Sequence, residues 1–181
     1  MRNNAPKRTA LLGALLAISL VLSVVESMLG ALVPLPIPGV KLGLANIISM
    51  FLLSYFSLAS ALSVAVLRTL LASLFTGGLG MFLYSAPGAV MSIIVMYMAL
   101  RYAKPLTIVG VSMLGACVHN VMQVCVAVLT TGEVNLFYYA FALLIVGAVS
   151  GTITGVVASV TFARAAKALN IQKTGAQTIA A

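Results

Sequence analysis

The stretch TALLGALLAISLVLSVVESMLGAL, residues 9–32, decides the fold. As a helix it is about 36 Å long, enough to cross a hydrocarbon core of roughly 30 Å. Glu26 is its one ionisable residue, and its apolar positions follow no strict alternation, so a helix fits and a barrel strand does not. Arg2, Lys7 and Arg8 precede it, as in a signal peptide. The apolar run continues to about Gly30 without a convincing cleavage site, which makes it a retained first span.

Five further apolar stretches follow: about Leu42–Phe56, Ser57–Phe75, residues 81–100, Leu106–Leu129 and Leu136–Phe162. Hydrophobic residues make up 62% of the 181 and charged residues 7%, more apolar side chain than a soluble domain of this length can bury. The expected fold is an all-α integral membrane protein, six transmembrane helices in one bundle. The basic segment 1–8 and the tail 169–181 flank a transmembrane domain at 9–168. The second stretch is short; it is tilted, or it starts inside the membrane behind the proline loop ALVPLPIPGVK (31–41). The turns TGGLG (76–80), RYAKP (101–105) and TTGEVN (130–135) separate later spans.

The net charge of +8 comes from ten Lys and Arg against Glu26 and Glu133. Because these basic residues flank apolar spans, they mark orientation rather than nucleic-acid binding. Arg2, Lys7 and Arg8, then Arg101 and Lys104, then Arg164, Lys167 and Lys173 fall on one side of a six-span chain. That side is expected to be cytoplasmic, with both termini inside a prokaryotic plasma membrane.

Charges inside such a chain are costly, by about 2.5–3.5 kcal/mol or more at the bilayer centre, so they face a cavity, a partner or a substrate path. Arg68 falls near the midplane of the third span, and Glu26 near the outer end of the first. Asn46 sits one turn below the outer end of the second span, with Lys41 at its mouth. His119, Asn120 and Gln123 lie in the outer half of the fifth, where His119 and Gln123 share a face. This clustering predicts a pocket open to the outside. A guanidinium grips a carboxylate or phosphate in two places, which makes Arg68 the expected anion clamp. Structural alternatives stand beside this reading. Lys41 would snorkel to the interface, Glu26 would neutralise Lys41 or Arg68, His119 would be a hydrogen-bonded core residue, and the amides would join helices.

Gly147, Gly151 and Gly155 form a smooth stripe for helix packing on the sixth span. Small residues, Ala10 and Ala14 with Gly13 and Ala17, occupy the cytoplasmic part of the first, where a partner protein has room to dock. Cys117 and Cys125 are about 12 Å apart along one helix, too far for a disulfide. Without a GxxxxGK[ST] loop, an HExxH pair, a Cys/His cluster or any Asp, the sequence offers no nucleotide-hydrolysing, metal or magnesium–diphosphate motif. Neither enzyme activity nor a cofactor is expected, and energy for transport must come from elsewhere.

The segment PLPIPGVKLGLANIISMFLLSYFS (34–57), with LRTLLASLFTGG (67–78) and ACVHN (116–120), resembles the heptaprenyl diphosphate synthase component I family, also called the Gx transporter family. The resemblance runs from about Thr9 to Ala168, and PGVKLGLAN (38–46) is its most specific part. That family is similar to the substrate-binding S components of energy-coupling factor (ECF) transporters. The similarity implies capture of a small molecule near the outer face, a transmembrane coupling subunit and ATPase subunits as partners, and docking through an AxxxA pattern that Ala10 and Ala14 match. The expected function is therefore capture of a small anionic or amphipathic substrate by Arg68, Lys41, Glu26, Asn46, His119, Asn120 and Gln123, with the proline loop as a lid. The synthase name implies another role. The catalytic component of such an enzyme carries aspartate-rich motifs, so this chain would be an accessory subunit in prenyl or quinone metabolism or in a membrane redox complex. A stand-alone ion-coupled carrier, with Glu26 or His119 moving protons, is the third reading.

Overall fold

A computed structural model describes residues 5–31, 43–103 and 106–169. Six α-helices account for most of them: α1 Ala5–Ala31, α2 Asn46–Tyr55, α3 Leu58–Thr76, α4 Leu79–Tyr102, α5 Ile108–Thr131 and α6 Phe137–Ala168. A 3₁₀ turn, Val134–Leu136, leads into α6. No strand occurs among the described residues. Five of the helices, all but α2, are long and apolar enough to cross a membrane.

Local chemistry sets the helix ends. Ser57 accepts a hydrogen bond from the Ser60 amide at 3.2 Å and starts α3; Thr107 does the same for Gly110 at 3.3 Å and starts α5. Gly132, with φ of 75° in the left-handed region, ends α5 and returns its amide to the Val128 carbonyl at 2.8 Å. The second stretch differs from its expected extent. Helix begins only at Asn46, after Gly43 at φ 87°, and stops at Tyr55, giving 10 residues. Ten residues are about 15 Å, half of a hydrocarbon core. The helix is nonetheless interior: it packs against α3, α4, α5 and α6, and eight of its residues are buried.

Neighbouring helices otherwise pack in chain order, α1 on α3, α3 on α4, α4 on α5 and α5 on α6. Side-chain contacts fix which ends meet. Arg8 Nη2 donates to Ser60 Oγ at 3.1 Å, which sets the starts of α1 and α3 together. Phe51 and Tyr55 of α2 meet Phe162 of α6 edge to face, with ring centroids 5.3 and 6.4 Å away. Lys7, Arg8, Arg101, Arg164 and Lys167 thereby gather at one end of the bundle, which we call the basic end, and Glu133 lies at the other. The tightest joint is α5 on α6. A Cβ on Gly151 would stand 2.6 Å from the Met113 Cα, and one on Gly155 2.6 Å from the Val109 Cα. Only hydrogen fits there, so the helix backbones touch directly.

Candidate functional site: a buried arginine cavity

Between mid-bundle and the end opposite the basic one, α1, α2, α3 and α5 close around a small cavity. Glu26, Gly43, Ala45, Asn46, Arg68, Ala116 and His119 line it. Its volume of about 10 Å³ is room for roughly one water. Arg68 is among the largest fully buried side chains, with 2% of its surface exposed.

Each element brings its residue for a visible reason. Arg68 is buried on the same face of α3 as Ala61, Val64, Ala65 and Ala72, so a stripe of small residues turns the guanidinium inward. The Glu26 carboxylate accepts hydrogen bonds from the Gly43 amide and, at 3.2 Å, from the Leu44 amide. Glu26 therefore ties α1 to the turn that starts α2, while its charge also acts on Arg68. His119 reaches the cavity from α5 and lies against α4 at Gly88, where a Cβ would stand 3.3 Å from its Nδ1. Gly88 follows Pro87 inside α4 and leaves room for the imidazole.

Arg68 Nε and Asn120 Oδ1 are buried polar atoms without a hydrogen-bond partner among the described residues. A buried group in this condition costs about 1–3 kcal/mol, more when charged. The nearby charge of Glu26 offsets part of the cost at Arg68. A water or an anionic oxygen would meet the rest. The cavity thus has the elements of an anion site: a desolvated guanidinium, an imidazole and an amide.

Of the residues expected to form the site, Glu26, Asn46, Arg68 and His119 come together. Asn120 and Gln123 are buried but do not line the cavity. Asn120 Nδ2 donates to the Leu143 carbonyl at 3.0 Å and so joins α5 to α6, next to Gly147. Lys41 and the proline loop expected as a lid lie outside the described residues. Ala10 and Ala14 are exposed on the face of α1 that carries Gly13, and nothing stands within 4 Å of a Cβ placed at Gly13. Sequence reasoning missed Gly43, Ala45 and Ala116, which line the cavity, and Gly88, which leaves room for His119 from α4. Ala116 was within reach, since it is one helical turn before His119. Gly43 and Ala45 lie in the segment 38–46 that carries the most specific resemblance. Gly88 gave no signal, because its role depends on how α4 meets α5.

No group of three or more potential metal ligands occurs among the described residues. No curated protein and no solved structure matches the chain. A family model, in contrast, covers residues 15–161, from within α1 to near the end of α6, and the chain therefore belongs to the family described as heptaprenyl diphosphate synthase component I.

Proposed function

We propose that this protein is a membrane subunit that captures a small anionic or amphipathic molecule, in the manner of an ECF-type S component, and does not itself catalyse a reaction. The observation that carries this reading is Arg68: a fully buried arginine, with an unmet Nε, facing a cavity it shares with Glu26, Asn46 and His119. Holding that side chain inside an apolar bundle is unfavourable unless something uses its charge. In this reading Arg68 binds the anionic group, His119 and Asn46 complete the ring of donors, and Glu26 fixes the α2 start through the Gly43 and Leu44 amides. Asn120 and Gln123 support the α5–α6 joint behind it. The cavity as it stands admits about one water, so binding requires the α2 start or the Arg68 side chain to shift.

The topology we propose has six passes, with α2 part of the second and both termini cytoplasmic. The basic end, with Arg8, Arg101, Arg164 and Lys167, supports that orientation. The cavity then lies toward the outer face of a prokaryotic plasma membrane. Ala10 and Ala14 lie near the cytoplasmic end of α1, where a coupling subunit with its ATPases would dock. α1 packs chiefly on α3, and its exposed side leaves space for such a partner.

The family's own description favours a second reading, a non-catalytic accessory subunit beside a prenyl-chain-elongating enzyme. The test that separates the two is a mild-detergent pulldown of the tagged protein from its native membrane, with mass spectrometry of both proteins and small molecules. A coupling subunit with ATPases and a retained metabolite is the expected result. Recovery of a prenyltransferase without a metabolite would move the assignment to the accessory role.

A further inference from the structure

A second cavity adjoins the first. It is a groove of about 340 Å³ along α6, lined by Leu44, Ile145, Val149, Ser150, Ile153 and Thr154, within the roughly 300–1,000 Å³ typical of small-molecule sites. Its two hydroxyls are already engaged. Ser150 Oγ donates to the Gly147 carbonyl at 3.3 Å. Thr154 Oγ1 donates to the Ser150 carbonyl at 3.0 Å and pairs with Ser112 Oγ at 2.9 Å. What remains facing the groove is hydrocarbon. Val149 and Ile153 are 57% and 58% exposed, so the groove opens sideways toward lipid rather than along the bundle axis.

The linings of the two cavities are adjacent in the chain. Leu44 lines the groove, while its neighbours Gly43 and Ala45 line the arginine cavity. On the α6 side, Gly151 lies between the groove residues Ser150 and Ile153, and a Cβ there would stand 3.1 Å from the Ala116 Cβ, which lines the arginine cavity. Leu44 and its two neighbours thus bring the linings of the groove and the arginine cavity together at the start of α2. A purely hydrophilic metabolite has no use for such a lateral, apolar annex.

We propose that the captured molecule is a single-chain amphiphile whose phosphate or carboxylate head meets Arg68 and whose apolar chain lies in the α6 groove. This rests on the capture reading above and narrows its substrate class. Bilayer tails are as apolar as the groove, so the chain contributes placement more than affinity. The contact between head and Arg68 is what separates this ligand from bulk lipid.

The test uses the full-length protein in phosphatidylcholine nanodiscs and dodecyl phosphate carrying a diazirine at the chain end, with a dodecanoate probe of the same design in parallel. Photolabelling is expected on α6 at Ile145–Ile153 with at least one probe. Excess butyl phosphate or butyrate should compete, Arg68→Gln should cut the yield at least tenfold, and Val149→Trp should remove the α6 label by filling the groove. Melting temperatures of both variants establish that they are folded. Labelling of α6 that survives Arg68→Gln in the folded protein would mean the groove holds ordinary bilayer chains, and the inference fails. A melting shift with the short anions that depends on Arg68, without α6 labelling, would overturn the amphiphile and leave capture of a compact anion standing. Absence of any Arg68-dependent response to both series would overturn the two together.

Discussion

The two ends of this bundle solve the problem of burial differently. At the basic end, Phe51, Tyr55 and Phe162 interlock with centroid separations of 4.8–6.4 Å and fill space with hydrocarbon. Toward the other end α1, α2, α3 and α5 enclose Arg68, Glu26, His119 and Asn46, and leave a cavity. One half is packed to hold the helices together, and the other carries groups that packing alone would not select. The difference teaches that close packing and buried charge are separated along the bundle axis, and α2, half a membrane long, contributes to both: its end is in the aromatic cluster and its start forms part of the cavity wall.

The strongest way to sharpen this contrast is to remove a ring from the packed half. Phe162→Ala should cost about 3–5 kcal/mol of stability through lost burial and a residual void. Thermal melting would read this, while retention of the co-purified metabolite per folded protein should stay unchanged. Next comes the converse in the polar half. Arg68→Ala should lower metabolite retention at least about tenfold, or roughly 1.4 kcal/mol, and lower melting far less than Phe162→Ala does. Equal losses of binding and stability would make Arg68 structural and erase the distinction. A smaller effect is expected at the latch. Glu26→Gln keeps an acceptor for the Gly43 and Leu44 amides but loses the charge, and should destabilise by about 1 kcal/mol, the difference between a charged and a neutral hydrogen bond. The mildest case lies outside both halves. Ala14→Leu, on the exposed face of α1, should change melting by no more than about 0.5 kcal/mol-equivalent yet reduce recovery of a coupling subunit in the pulldown. Unchanged recovery would remove α1 from the docking role.

Much of the site was legible in the sequence because charge in an apolar run is conspicuous. Arg68, Glu26 and His119 stand out from their neighbours, and helical rise places them at related depths without a structure. Asn120 and Gln123 show the limit of that reasoning. They share a helix with His119 and lie within four residues of it, but Asn120 is turned about 100° away and Gln123, on the same face, stands about 6 Å further along the axis, and neither lines the cavity. Asn120 reaches α6 and meets the Leu143 carbonyl instead. The extent of α2 was legible only as a warning. Its stretch was short, but where helix begins depends on Gly43 and on the Glu26 carboxylate seventeen residues earlier.

The sequence by itself determined the solvent and the secondary structure. With 62% hydrophobic residues and a handful of charges, the chain has to satisfy its backbone internally, and runs longer than a barrel strand make helices the answer. It also determined where the polar groups would be found along each helix. Only the tertiary structure decided which of them meet. That choice rests on close approaches that a sequence does not encode singly: the hydrogen-only contacts of Gly151 and Gly155 with the α5 backbone, the space Gly88 leaves for His119, and the reach of Glu26 to the amides of Gly43 and Leu44. Each joins two helices, so each is a property of the pair rather than of either strip of residues.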